Sequence, residues 1–238
     1  MKINTILSRC TLACLAIAFT TGCHPERAWV YHANSYPTAM TGTGKTVAVL
    51  AYEDGRENKN NSLVGLYLLP LVPFGWQNYN VPESATIHMN SGLWMNYKPT
   101  EDYPKALAED LKKTGLFSDA FFEFRRTSSD YAVKGKILNT HYTGRSFWYG
   151  LTFEGPLLWI IGFPTTSVST DLSLELSLVD SKTDKPLFTK VYTAPHDLEV
   201  AWLYVPKDDF KYSEMLAELN KQFCQDIQPV VLGTAKTQ

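Results

Sequence analysis

Few residues of this chain stand at spacings that do chemistry. The segment Ala39-Met40-Thr41-Gly42-Thr43-Gly44-Lys45-Thr46 satisfies the relaxed pattern of a phosphate-binding loop, with Ala in place of the first Gly. Such a loop needs a buried strand before it and a helix after it, because the helix amino terminus holds the phosphate. Here Ser35-Tyr36-Pro37 precedes and the strand-like run Val47–Tyr52 follows, which is the reverse order, so nucleotide binding is not expected. Glu53-Asp54 offers paired carboxylates, but they open the polar stretch Glu53–Asn61, which reads as a solvated loop. His88 stands alone and is expected to be structural. The hydroxyls, the five histidines and the acids show neither triad nor metal spacing, and there is no Gly-x-Ser-x-Gly elbow. Cys224 borders the apolar face of a final helix, where a cysteine acts as a small filler rather than a nucleophile. The expectation is a protein without catalytic residues, metal or cofactor, and not an enzyme. A hydrolase stays as an alternative, since a site assembled in three dimensions leaves no spacing signature.

One thiol does have a telling context. Lys2 and Arg9 form a short basic opening, followed by the apolar run Cys10–Phe19. That run is too short for a membrane span of about 20 residues and suits a secretory signal. Thr20-Thr21-Gly22-Cys23 then resembles a bacterial lipobox, with Thr20 standing where Leu is usual. The resemblance implies a signal peptide over 1–22, cleavage before Cys23 and acylation of Cys23. The other reading is an ordinary cleaved signal ending near Cys23. His24 in the next position, rather than Asp, implies by analogy sorting to the outer membrane, with the protein facing the periplasm. Several acyl chains, at about 0.8 kcal/mol per buried methylene, hold a protein on a bilayer almost permanently. Cleavage removes Cys10 and Cys14 and acylation uses Cys23, which leaves Cys224 alone and no internal disulfide. Stability must come from the core, and 238 residues less the signal suffice for one domain. Loss of Lys2 and Arg9 takes the formal charge from −2 to about −4, leaving no basic stripe for nucleic acid.

The elements that would position any site follow from periodicity. Ala28–Thr43 has none and reads as a tether. Val47–Tyr52 is a continuous β-favouring run, suited to a strand covered on both faces. Thr100-Glu101-Asp102-Tyr103-Pro104 starts a helix with cap-type residues, early acids and a first-turn proline. Tyr103, Leu107, Ala108 and Leu111 form its apolar stripe, Lys112-Lys113 suit its carboxyl end, and Gly115 stops it. Ala120–Phe124 is the next strand, and two long strands, Asp130–Tyr142 and about Thr166–Asp180, come after it. In the second, Leu172, Leu174, Leu176 and Leu178 alternate with polar residues, as one wet face requires. Ser181–Lys185 is a hairpin turn into Pro186–Tyr192. The last helix spans about Tyr212–Ile227, with Tyr212, Met215, Leu216, Leu219, Phe223 and Ile227 on one face. Tyr79–Lys98 carries no clear pattern.

Two segments do not fit a plain domain: Leu63–Trp76, and the connector Phe147–Pro164 between the long strands. Both have aromatic flanks, Gly-Pro breaks and an aliphatic centre, and both are too short and too broken to span a membrane. They look like a matched pair. In one account they are irregular core segments packed on each other. In the other they form an apolar surface that dips into lipid or docks a partner, for which Trp and Tyr suit the interface. The residues that would make that contact are Leu66, Leu68, Leu69, Leu71, Phe74 and Trp76 from the first segment. From the second they are Phe147, Trp148, Leu157, Leu158, Trp159, Ile160 and Ile161.

The order of elements gives an α+β fold: a mostly antiparallel sheet with two main helices packed against it, plus two apolar loop insertions. The single domain would run over 44–230, after a lipidated tether at 23–43 and before a flexible tail at 231–238. The phrases Ala106–Leu111 to Gly115-Leu116-Phe117, Asp130–Ile137, and Leu176–Asp180 to Pro186-Leu187-Phe188 resemble a known periplasmic domain. It is the domain shared by the curli-secretion lipoprotein CsgG, the amino-terminal domain of TolB and the penicillin-binding-protein activator LpoB. The chain also resembles uncharacterised proteobacterial lipoproteins. The likeness implies a non-enzymatic envelope lipoprotein, bound to the membrane through Cys23, with a protein or lipid partner in assembly or transport. The CsgG likeness also implies an alternative, a homo-oligomeric pore subunit. Against it, Leu157–Ile161 is solidly apolar where barrel strands alternate over about 9–11 residues.

Overall fold

Three consecutive buried residues, Val47-Ala48-Val49, fix the centre of the fold. The computed structural model describes residues 29–36, 42–83, 97–125, 129–194, 196–205 and 211–233. All of these belong to one compact unit, Trp29–Met89 with Tyr97–Gln238. The other unit, Met1–Ala28 with Asn90–Asn96, lies outside the described residues. So do Cys23, His88, the segment 39–41 of the loop motif, and the tail beyond Gly233.

The chain begins with β1 (Thr46–Leu50), β2 (Glu53–Asp54), β3 (Lys59–Ser62), β4 (Phe74–Asn80), α1 (Pro99–Thr114), β5 (Asp119–Glu123), β6 (Tyr131–Asn139) and β7 (Tyr142–Phe147). It continues with α2 (Pro156–Ile160), β8 (Pro164–Thr170), β9 (Ser173–Asp180), β10 (Pro186–Thr193), β11 (Asp197–Trp202) and α3 (Tyr212–Val231). The fold is α+β, and the described strands divide into two sheets. The first has the order β10-β9-β6-β1-β5, with β2 on β6, and the second has the order β11-β8-β7-β4-β3. β1 lies parallel between β5 and β6, which is why its middle is apolar at every position. The second sheet is antiparallel throughout.

Both main helices pack where their stripes predict. Tyr103, Leu107, Ala108 and Leu111 of α1 are buried, and Gly115 ends the helix in the left-handed region at φ 71°. The start is capped from outside: Glu83 accepts from the backbone N–H of Thr100 (2.8 Å) and from its hydroxyl (2.7 Å). Every expected face residue of α3 is buried, and Phe223 meets the rings of Phe188 and Tyr192 on β10. Leu172, Leu174, Leu176 and Leu178 are fully buried on the opposing sheet, each worth about 1.5–3 kcal/mol by area. α3 runs past its expected end at Ile227, through Pro229, to Val231.

The two long strands are each broken once, and the break carries them from one sheet to the other. β6 ends in the first sheet and β7 starts in the second, while β8 and β9 make the return crossing. Polar side chains supply at the crossing what a ladder would have supplied. The Asn80 side-chain oxygen accepts from Thr140 N–H (3.1 Å), and Tyr212 donates to the carbonyls of Thr140 (2.9 Å) and His141 (3.2 Å). Arg56 also donates to the Thr140 hydroxyl, at 2.9 Å.

That arginine corrects the reading of Glu53–Asn61 as merely solvated. Arg56 is buried and grips Asp54 through two bonds, Nε–H to Oδ1 (2.8 Å) and Nη2–H to Oδ2 (2.7 Å). Burial alone would raise the Asp54 carboxyl; the bonds from Arg56 and from Glu83 N–H outweigh it and hold the group below its ordinary range. The tether is corrected too, in its described part 29–36. Tyr31 and Asn34 donate to the buried carboxylate of Asp110 on α1, the Asn34 backbone at 2.7 Å, and the Asn34 amide also reaches Ala217 O on α3 (2.8 Å). A buried carboxylate must be satisfied, and this segment supplies its donors, so the chain is docked along both helices rather than hanging free.

Candidate functional site

The second sheet delivers both apolar segments to one end. Phe74 opens β4 opposite Phe147, which closes β7, and Pro164 opens β8 opposite Trp202, which closes β11. With β7 and β8 themselves paired, four strands share that edge. The chain leaving them makes one tip.

Backbone bonds stitch the tip together. Pro73 O accepts from Trp148 N–H (2.8 Å) and Tyr149 N–H (2.7 Å), and Leu71 N–H donates to Gly150 O (3.0 Å). Tyr67 stacks on Trp148 with centroids 4.2 Å apart, Trp148 meets Trp159 edge-on, and the Trp159 indole N–H donates to Phe147 O (2.8 Å). Two glycines make the approach possible. A Cβ on Gly75 would stand 2.2 Å from Val64 O, and Gly150 sits at φ 76° with Leu71 Cα 3.0 Å from where its Cβ would be. Leu71, Tyr149 and Thr152 also hold left-handed backbone, at φ 69°, 57° and 49°. Each costs about 1–3 kcal/mol and persists only where the surroundings over-determine it.

The outside of this tip is not covered. The 3₁₀ turns Val64–Leu68 and Thr152–Glu154, and helix α2, contain no buried residue. Leu71 is 90% exposed, Phe153 75%, Ile161 70% and Leu157 62%. No charged residue occurs from Asn60 to Pro82, and Glu154 is the one charged residue from Ser146 to Thr170, so little opposes an apolar contact apart from that carboxylate. The two accounts drawn from sequence therefore combine: the segments pack on each other and still present an apolar surface.

The thirteen expected contact residues divide by depth. Leu68, Leu69, Leu71, Leu157, Ile160 and Ile161 face outward, whereas Leu66, Phe74, Trp76, Phe147, Trp148, Leu158 and Trp159 are half-buried beneath them. On α2 this is helical spacing, with Leu157, Ile160 and Ile161 on one face and Trp159 bonded inward. Sequence reasoning missed Leu63, Leu151, Phe153 and Phe163, and the third contributor, Leu203-Tyr204-Val205, all exposed. The Tyr204 hydroxyl donates to Ile160 O (3.2 Å). Its signal was there to find, in the run Ala201-Trp202-Leu203-Tyr204-Val205-Pro206, apolar and proline-ended like the other two.

Two other groups bear on chemistry. Asp171 Oδ1 lies 2.7 Å from His196 Nδ1, and Ser169 Oγ lies 2.8 Å from Nε2. This has the order of a hydrolytic triad, but Oγ is also 3.2 Å from Nδ1. It therefore sits beside the ring between the two nitrogens, not along the Nε2 lone pair, and the imidazole is 60% exposed. Cys224 is fully buried, which pushes its thiol up to about 12 and leaves it a filler. Among the described residues no group of three or more His, Cys, Asp or Glu could hold a metal ion. No described helix is long and apolar enough to cross a membrane.

No family model matches the chain, and no curated protein matches it in sequence. Among solved structures, it is similar to a Xanthomonas campestris protein of family DUF330, with 9% identity, 87% of this chain and 97% of that chain covered, and a TM-score of 0.47. A Chlamydia trachomatis protein is similar at 9% identity, with 80% and 99% covered and a TM-score of 0.40. A neuraminyllactose-binding hemagglutinin homolog from Helicobacter pylori is similar at 7% identity, with 85% and 90% covered and a TM-score of 0.37. At such scores these likenesses carry no argument about function, which rests on the chain's own geometry.

Proposed function

We propose that the chain is a non-enzymatic cell-envelope lipoprotein, anchored through Cys23, whose second sheet sets its apolar tip into a bilayer during envelope assembly or transport. The observation that carries this reading is a tip held together by its own backbone bonds yet uncovered at Leu71, Leu157 and Ile161. Strained backbone and exposed aliphatic side chains are costs in water, and lipid removes the second of them. Tyr67, Trp148 and Trp159 pack on one another at the base, with the Trp159 indole N–H turned inward to Phe147 O, and brace the tip from within. A tip of this size would enter only about 5–10 Å, as interfacial elements do.

The pore reading gains no support from the strands. β7 and β8 are six and seven residues long and carry Thr143, Arg145, Ser167 and Ser169, not the alternating apolar band of a barrel wall. The test is vesicle flotation of a chain beginning at His24, which lacks the acyl chains and keeps every described residue. It is expected to float with phosphatidylcholine vesicles. A chain that stays behind as a monomer contradicts the reading and points to a protein partner.

A further inference from the structure

The outer face of the second sheet has a shallow recess above the tip, lined by Thr143, Arg145, Ser167, Ser169, His196 and Leu198. Its centre is a cation beside an idle hydroxyl. Arg145 and Ser167 are direct partners across β7 and β8. The Arg145 guanidinium lies over the Phe74 ring, 5.6 Å from its centroid, and makes no ion pair among the described residues. Ser167 is only 8% exposed, yet its hydroxyl makes no hydrogen bond among them. The nearby carboxylate of Asp171 is taken up by His196. Thr143 is likewise engaged, donating to Asn78 Oδ1 at 2.8 Å.

A planar guanidinium and a hydroxyl on adjacent strands suit a tetrahedral oxyanion, which takes two parallel N–H bonds and one O–H bond. The depth suits one source of it. Arg145 stands two residues before Phe147, or about 7 Å at about 3.4 Å per residue. The polar layer on each side of a bilayer's hydrocarbon is about 5–8 Å thick. With Phe147 at the hydrocarbon boundary, Arg145 is level with the headgroups. We propose that the recess holds the phosphate of an anionic phospholipid headgroup, with Arg145 and Ser167 as its donors and His196 at the outer rim. The proposal rests on the membrane reading of the tip.

The test uses the full acylated chain in nanodiscs of phosphatidylcholine mixed with phosphatidylglycerol, with retained lipids counted by native mass spectrometry after release. The wild type is expected to keep phosphatidylglycerol in preference to phosphatidylcholine. Arg145→Gln should reduce that retention about tenfold and Ser167→Ala severalfold, since a bond to a charged group is the larger loss. Equal retention of the two lipids, or undiminished retention by Arg145→Gln, overturns the proposal. Displacement by free glycerol phosphate at matched concentration overturns the lipid as the source. Quenching of tryptophan fluorescence by brominated acyl chains in the same discs reports the tip separately. Quenching without headgroup preference sinks the subsite alone, and its absence sinks the membrane reading beneath it.

Discussion

Replacing Leu157 and Ile161 together with Asp should abolish vesicle binding and leave the fold intact. Full burial of a Leu or Ile side chain is worth about 2 kcal/mol. Leu157 is 62% exposed and Ile161 70%, so roughly two thirds of each side chain is available to lipid. The pair then contributes about 2.5–3 kcal/mol, near a hundredfold in partitioning, before the added cost of placing carboxylates at the boundary. The folded state loses little, because neither side chain is core and such surface changes stay within about 0.5 kcal/mol each. Titration with vesicles, read by flotation, gives the partition coefficient, and a thermal melt gives the stability. Binding that falls less than about fivefold, with the melt unchanged, would refute the reasoning. The inward pair Leu158 and Trp159 makes a poorer test, since Trp159 holds Phe147 O and its loss would loosen the tip itself.

Gly75→Ala drives a methyl against Val64 O, so the 3₁₀ turn must shift. It should cost about 1–3 kcal/mol by denaturant titration and weaken vesicle binding without altering the far-ultraviolet spectrum. Asp54→Asn leaves the buried Arg56 unmatched and should cost about 3 kcal/mol, a fall in Tm of roughly 6–12 °C. Because Asp54 titrates below its unfolded value, its contribution is present above about pH 4 and fades as pH drops through the folded pKa, so wild type and variant should converge in acid. Ser169→Ala should leave any ester hydrolysis by the purified chain unchanged. A rate that the substitution removes would instead favour the hydrolase.

How much of this was legible depended on whether the deciding contacts are local. α1 and α3 follow from stripes and caps within one turn of each residue, and β1 follows from three apolar residues in a row. The break at Thr140-His141 could not be read, because the groups that satisfy it, Asn80, Arg56 and Tyr212, lie far away in the chain. Docking of residues 29–36 depends in the same way on Asp110, which sequence places on α1 without revealing that its carboxylate is buried. The two apolar segments were visible by composition, and their packing on each other was one of the two accounts the sequence left open. Which side chains face outward was not legible, since that depends on the helical turn of α2 and the left-handed bends at Leu71 and Tyr149.

The central claim is that the tip touches acyl chains. The most direct measurement is tryptophan fluorescence of the full chain in vesicles whose lipids carry bromine at a shallow acyl position. Trp148 and Trp159 at the base of the tip, with Trp202 at the end of β11, predict strong quenching in the brominated vesicles. Emission the same with brominated and plain lipids would mean that the tip stays in water, and would contradict the account.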